Sequence, residues 1–540
     1  MYLLASSASA AEARPEAFDR AIRSDSADAF FKNGEIPTLR IEVSEGSIEA
    51  LRSNPREAVV ATVRDGESVY GQVAIHLKGA AGSLRSVDDR PALTLKFDRF
   101  KTHQRYRGLD KLHLNNSVQD PSYLTELLCG ELFLAAGVPA ARTTHAMVEL
   151  NGRKLGLYVL KEGFNKTLLR RYFKNANGNL YDGGFLHDID QPMERLSGDE
   201  GKGQSAVETL VEACQIPNPE LRLSALSKTL DLDRFISFMA LEMMTWHWDG
   251  YFMKQNNYRV YHDPSSNRLL FMPHGMDQMF WDPRGSLFPS PEGMVARAVM
   301  SIPALKAQYR NRASWLSTNL FRGDALASRI QEVAARIRPH LEHFDLAQAH
   351  EHDEAVKHLT RQVQLRAEYL ERMLTVEPLK SWTLAIGESK PLPPWRSRTD
   401  AGQAVFRQAT EGGTNTMEVE ALALKSAPDG TRESACLASY RTQVLLPPGR
   451  YAFSGRVRTD AVLPVSKSAR GSGAGLRISG RKRSAGLVSD QGWTSLRYEF
   501  SVAETEEEIE LICDLRALHG KAVFDTQSLR LERLPEEANK

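Results

Sequence analysis

Residues 245–281 read TWHWDGYFMKQNNYRVYHDPSSNRLLFMPHGMDQMFW, which brings His247, Asp249, Asn256, Asn257 and Asp277 into one short run. An acid, two amides and a second acid in that order suit phosphoryl transfer. One carboxylate orients or deprotonates an attacking hydroxyl, while an amide and the later carboxylate hold a divalent metal against phosphate oxygens. Each of these residue types also caps turns and strand ends, so no single one marks a site. The ordered set is harder to explain that way.

The elements around the run must bring it together. Residues 258–261 and 269–272 read as two hairpin strands separated by the turn-rich HDPSSN, which predicts Asn256, Asn257 and Asp277 at the open end of one hairpin. Asp231 and Asp233 form an N-cap signature for an apolar helix over 234–246, and that helix delivers Asp249 at its C-terminal end. Upstream, alternating runs at 38–43, 58–64, 72–77, 92–97 and 111–114 predict an all-β opening. The period then changes to a helix over 121–136, stopped by Gly137 and Pro139. Strands at 144–150 and 154–160 are joined by the hairpin turn Asn151-Gly152. A Gly- and Asp-containing stretch over 174–203 reads as a flexible insertion or lid, followed by helices at 206–214 and 219–229. Residues 301–375 carry 3.6-residue periodicity and predict a helical extension.

Composition narrows the field. The chain has 540 residues, enough for several domains, and 69 basic against 68 acidic residues leave a net charge of +1. No global field therefore argues for nucleic acid or an acidic membrane surface. No run reaches the ~18 apolar residues that span a bilayer. Cys129, Cys214, Cys436 and Cys513 lack zinc-type spacing; Cys436 and Cys513 either pair or are separately buried thiols. The opening MYLLASSASAAEA, with AEA at 11–13, reads as an export signal or a disordered cytosolic tail over residues 1–35. Prolines 378, 391, 393 and 394 mark a linker over 376–398. Short strands at 416–424, 439–446, 449–457, 475–478, 495–502, 508–514 and 528–534 then predict a β-sandwich over 399–540. No carboxylate pair stands out in the way a glycosidase requires.

Residues 36–375 resemble the CotH kinase family, named for a spore-coat protein. The likeness runs through Lys78-Gly79, RPALTLKF at 90–97, LHLNNSVQDPSYLTELL at 112–128, GVPAAR at 137–142, NGRKLGLYVLKE at 151–162 and GNLYDGG at 178–184 to the 245–281 segment. The resemblance implies an α+β fold: an atypical protein-kinase-like two-lobed domain with a helical C-terminal part, followed by an all-β jelly-roll sandwich. It implies Asp249 as the catalytic acid, Asp277 as a magnesium ligand with Asn256 or Asn257 assisting, and Arg90 as a phosphate contact. Lys78, Lys96 and Glu162 are the further candidates for the basic and acidic partners of ATP. Where the family typically has Trp-Asp-x-Asp, this chain has His274-Gly275-Met276-Asp277, so one of two carboxylates is absent.

The C-terminal strands, GRYAFSGRVRTD at 449–460 and KAVFDTQSLRLERL at 521–534 among them, are similar to carbohydrate-binding modules. Trp493, Tyr451 and Tyr498 are the aromatics that would stack on a polysaccharide. The expected function is an ATP- and magnesium-dependent kinase acting on a hydroxyl of protein Ser or Thr, outside the cytoplasm or secreted. The alternative is an inactive kinase-like surface protein that works through glycan binding by the sandwich.

Overall fold

A computed structural model of the chain describes residues 22–535 apart from 81, 200–203, 376–380, 412, 423–434, 466–470, 480, 482, 484–485 and 503–505. The signal-like residues 1–13 lie outside the described residues. The chain is mixed α and β, and its contacts divide it into two units, Met1–Leu287 with Pro291–Val376, and Phe288–Ser290 with Glu377–Lys540.

The first unit opens on seven strands: β1 (Thr38–Val43), β2 (Val59–Asp65), β3 (Ser68–Lys78), β4 (Ala92–Lys96), β5 (Lys111–Asn115), β6 (Thr143–Leu150) and β7 (Arg153–Glu162). They close into a barrel in the order β1-β2-β3-β4-β5-β7-β6, with β1 parallel to β6 and the other neighbours antiparallel. The period-2 pattern of these strands decides what faces where. Ile75, Leu77, Leu93, Leu95, Leu112, Leu114, Tyr158 and Leu160 fill the apolar interior. The residues between them, His76, Lys78, Thr94, Lys96, Lys111, His113 and Asn115, turn to the other face and line a cavity.

The opening is not all β. Helices Asp28–Asn33 and Glu45–Ser53 belong to it, the second capped by Ser44, whose hydroxyl accepts from the Ser47 amide (3.2 Å). Nor is the described part of residues 1–35 disordered. Phe30 is buried, and Asp25 and Asp28 bind the buried Arg142 at 2.8 and 2.7 Å, which ties this segment to β6 and β7.

A second sheet takes the order β11-β10-β8-β9, from β8 (Leu180–Asp182), β9 (Glu194–Ser197), β10 (Tyr258–Asp263) and β11 (Arg268–Pro273). The expected hairpin is therefore present, with Tyr258 opposite Pro273 and Asp263 opposite Arg268. The stretch read as a flexible insertion or lid supplies β8 and β9 to this sheet. Between them, Asp188 is buried and accepts from the Tyr251 hydroxyl (2.8 Å) and the Gln255 amide (3.1 Å). Asp188 thus anchors the described part of this stretch to the helix-turn at residues 251–255. Helices Pro303–Asn319, Gly323–Phe344 and Leu346–Thr375 complete the unit.

The second unit is antiparallel β with one apolar core that includes Val419, Tyr451, Phe453, Leu511 and Phe524. Strand Glu507–Asp525 is long enough to change partners: its first part pairs with Cys436–Leu446 and Gly473–Ile478, its last part with Thr414–Ala421 and Gly449–Pro464. The described part of the segment read as a linker, residues 381–398, joins this unit instead. Leu384 is buried, Trp395 stacks on Phe453 at 6.2 Å, and Ser389–Pro391 forms an edge strand, where a missing N–H costs nothing. All four cysteines are buried and free, Cys436 and Cys513 included.

Candidate active site

The helix Leu232–Met244 is capped as expected by Asp231, whose side chain accepts from the Arg234 amide (3.3 Å). Beyond its end the chain doubles back on the buried Glu242, whose two carboxylate oxygens accept from the amides of Tyr251 and Phe252, both at 2.9 Å. His247 packs in the same bend, with Nδ1 3.5 Å from Glu242, and donates through Nε2 to the Gly275 carbonyl (3.2 Å). This bend presents Asp249. Its Oδ2 accepts from Asn256 Nδ2 at 3.1 Å and from Asn257 Nδ2 at 2.9 Å, and Asn257 also donates to the Asp249 carbonyl (2.9 Å). Asp249, Asn256, Asn257 and Asp277 all line one cavity of about 1250 Å³.

Asp277 follows β11 and is half-buried; loss of solvent around it, then Glu126 and Asp120, push its carboxyl up to about 6. The folded state thus holds a proton that the unfolded chain releases near 3.8, so stability falls as pH rises between those values and stays lower above them. Without metal, Asp277→Asn should match the wild type in thermal denaturation below pH 4 and exceed it above pH 6, by about 2–3 kcal/mol.

Gly275 is more than an absent acid. Its φ is +57°, and a Cβ there would lie 2.3 Å from Asn257 Oδ1. Any side chain must displace the amide that holds Asp249. Gly275→Asp is therefore expected to lower the melting temperature, because the new side chain pushes Asn257 off Asp249.

The cavity is also lined by cations. Lys78 donates to Asn115 Oδ1, Asn115 donates to Glu126 Oε2, and Lys161 pairs with Glu126 Oε1, with Glu126 and Lys161 both buried. Burial brings the Lys78 ammonium down to about 8, against the pull of Glu126. Burial works against the Glu126 charge too, but Lys161 and Lys78 outweigh it and hold the carboxyl below its ordinary value. His113 and His274 are held well below theirs by burial and the surrounding cations, so both are neutral near pH 7. Arg259 of β10 also lines the cavity and pairs with Asp182 at 2.7 Å.

The structure brings Lys78 and Lys96 to the cavity but takes two expected residues elsewhere. Arg90 lies between the Tyr123 and Tyr158 rings, at 5.7 and 5.3 Å from their centroids, and donates to the Tyr123 hydroxyl and the Leu157 carbonyl. Its guanidinium is consumed in packing and does not line the cavity. Glu162 binds Arg142 at 2.7 Å and Arg171 at 3.4 Å. Strand alternation explains the second miss, because adjacent Lys161 and Glu162 point to opposite faces and Lys161 sits opposite cavity-lining His113. Glu126, Lys111 and Arg259 of the cavity lining were missed, as was Lys161, which pairs with Glu126; the alternating KLHLN of β5 was the available signal for Lys111.

Among the described residues no cluster of three His, Cys, Asp or Glu side chains forms a metal cage. Magnesium seldom needs one, since it commonly binds one or two carboxylates together with water and substrate phosphates. Asp277 with an amide oxygen of Asn256 or Asn257 fits that pattern, both amides having spent their N–H groups on Asp249.

A sequence model of the family described as CotH kinase protein matches residues 75–370, more than half of the chain. The chain belongs to the CotH kinase protein family. This CotH kinase protein is similar to Invasin CotH2 of Rhizopus delemar, at 23% identity over 351 residues that cover 58% of each chain. It is also similar to inner spore coat protein H of Bacillus subtilis, at 22% identity over 193 residues, 33% of this chain and 52% of that one. It thus spans a little over half the length of these two relatives. Among solved structures, the Helicobacter pylori proinflammatory kinase CtkA aligns over 55% of this chain and 98% of its own, at 8% identity and TM-score 0.27. The CBM22-1 xylan-binding domain of Paenibacillus barcinonensis Xyn10C aligns over 28% and 99%, at 14% identity and TM-score 0.19.

Proposed function

We propose that this CotH kinase protein uses ATP and magnesium to phosphorylate a hydroxyl, that of a protein Ser or Thr, within a two-lobed kinase-like domain. The observation that carries this reading is Asp249, fixed by two asparagines in a cavity that Lys78 also lines. Membership of the CotH kinase family supports it. Asp249 Oδ2 is taken up by the asparagines, which leaves Oδ1 to accept the proton of the attacking hydroxyl. Lys78 donates to phosphate oxygens, and its link through Asn115 to Glu126 fixes where that charge sits. Magnesium, held by Asp277 and an asparagine oxygen, would supply neutralisation of the phosphate charge.

The test is transfer of labelled γ-phosphate from ATP to the protein itself or to a Ser- and Thr-containing protein. Transfer should require magnesium, and magnesium-ATP should raise the melting temperature. Absence of both effects would exclude the reading.

A second reading concerns the C-terminal unit as a jelly-roll module that binds polysaccharide. Tyr451 is buried, but Trp493 is 39% exposed and flanked by Arg456 and Arg458, at 5.7 and 5.3 Å from its ring. Relatives named as invasins and as a spore coat protein favour a surface location. Retention on an insoluble polysaccharide that Trp493→Ala abolishes is the expected result; equal retention removes Trp493 from the account.

A further inference from the structure

The cavity carries a second group of cations that the proposed transfer does not use. Lys96 of β4 and Lys111 of β5 are directly opposite each other in the sheet and both line the cavity. Like charges in that position destabilise a strand pair unless something between them carries the opposite charge. Neither lysine has a hydrogen bond or ion pair from its ammonium among the described residues. Burial, then Lys96 and Arg259, bring the Lys111 ammonium down to about 8, and burial, then Arg99, lowers that of Lys96.

The nearby acids are few or engaged elsewhere. Asp182 is bound to Arg259 at 2.7 Å, and Asp110 accepts from Asn165 and from Thr167, the latter at 2.8 Å. Asp98 acts on Lys96, and Glu194, which also lines the cavity, acts on Lys96 and Arg259, all from beyond ion-pair distance. Arg259 itself is buried, and its Nε has no partner. The arrangement is also held in place: a Cβ at Gly163 would come within 2.6 Å of Lys111 Cγ, so the lysine stem lies on a backbone that only glycine leaves open.

Lys96 and Lys111 stand apart from Lys78, whereas Arg259 lies within electrostatic reach of both Lys78 and Lys111. Lys78 pairs with Ala92, four residues before Lys96 on the same strand, which places the two about 13 Å apart along the sheet. A triphosphate chain anchored at Lys78 is shorter than that. We infer that Lys96 and Lys111, with Arg259 beside Lys111, form a second anion subsite, for a phosphate-type dianion, centred on the lysine pair rather than on Lys78. The dianion arrives either free or as a further phosphate on a bound nucleotide.

Calorimetric titration with inorganic phosphate tests this in the Lys78→Gln protein, which lacks the first ammonium. Phosphate should still bind, and adding either Lys96→Gln or Lys111→Gln should weaken it about tenfold or more. Lys111→Gln alone should also melt above the wild type without phosphate, because it relieves repulsion. Adenosine 3′-phosphate 5′-diphosphate and ADP separate the two sources. A preference for the former that Lys111→Gln removes assigns the anion to the nucleotide, and equal affinity beside retained phosphate binding assigns it to the free ion. Failure of phosphate to bind Lys78→Gln, or binding indifferent to both lysines, overturns the subsite. Neither result bears on transfer by Asp249, which is read by labelled phosphate instead.

Discussion

Asp249→Ala is expected to lower phosphoryl transfer between about a hundred- and ten-thousandfold, the range contributed by a positioned general base. Magnesium-ATP binding should persist, because Lys78 and Asp277 are carried by β3 and by the segment after β11. The alanine protein also loses the acceptor for two asparagine amides, so Asp249→Asn is the sharper comparison. An amide oxygen in place of Oδ2 still accepts from Asn256 and Asn257. The group then positions but does not take up a proton. If transfer collapses equally in both, Asp249 acts on the hydroxyl proton; if Asp249→Asn keeps the wild-type rate in single-turnover measurements, it only orients. Transfer unchanged in Asp249→Ala would take this residue out of the mechanism.

Local chemistry explains which parts of this site were readable in the sequence. The β10–β11 hairpin announces itself through two apolar runs and a turn of Asp, Pro, Ser and Asn. The helix before Asp249 has a cap and an apolar stripe, and both survive in the structure. Residues that meet through the tertiary fold were less accessible. Nothing in the one-dimensional pattern says that β1 pairs with β6 and closes a barrel, yet closure decides which alternate residues of β3, β4, β5 and β7 face the cavity. A one-residue shift across the β7 face separates Lys161, which holds the cavity-lining Glu126, from Glu162, which binds Arg142 and Arg171. Arg90 was misplaced for a related reason: a basic residue before a strand is equally suited to phosphate and to two tyrosine faces, and tertiary packing chose the tyrosines. Gly275 could be read from sequence only as a missing acid; its positive φ and the nearness of Asn257 are properties of the folded loop.

Glu126 carries the largest expected effect on stability. It is buried at the start of the helix Thr125–Ala135, and it satisfies Lys161 directly and Lys78 through Asn115. Glu126→Leu would leave the Lys161 ammonium buried without its counter-charge, and breaking a buried pair from one side costs about 3–5 kcal/mol. The double replacement Glu126→Leu with Lys161→Met removes both charges and both desolvation penalties, so it should regain most of that loss in urea denaturation. Stability and function should then part company. The double variant should fold about as well as the wild type, but Lys78 would lack the carboxylate that orders it through Asn115, and magnesium-ATP binding should weaken. Equal stability of Glu126→Leu and the wild type would show that Lys161 finds another partner or sheds its proton at little cost. A fully stable double variant with wild-type nucleotide affinity would instead separate this ion pair from the site and confine it to holding the helix on the barrel.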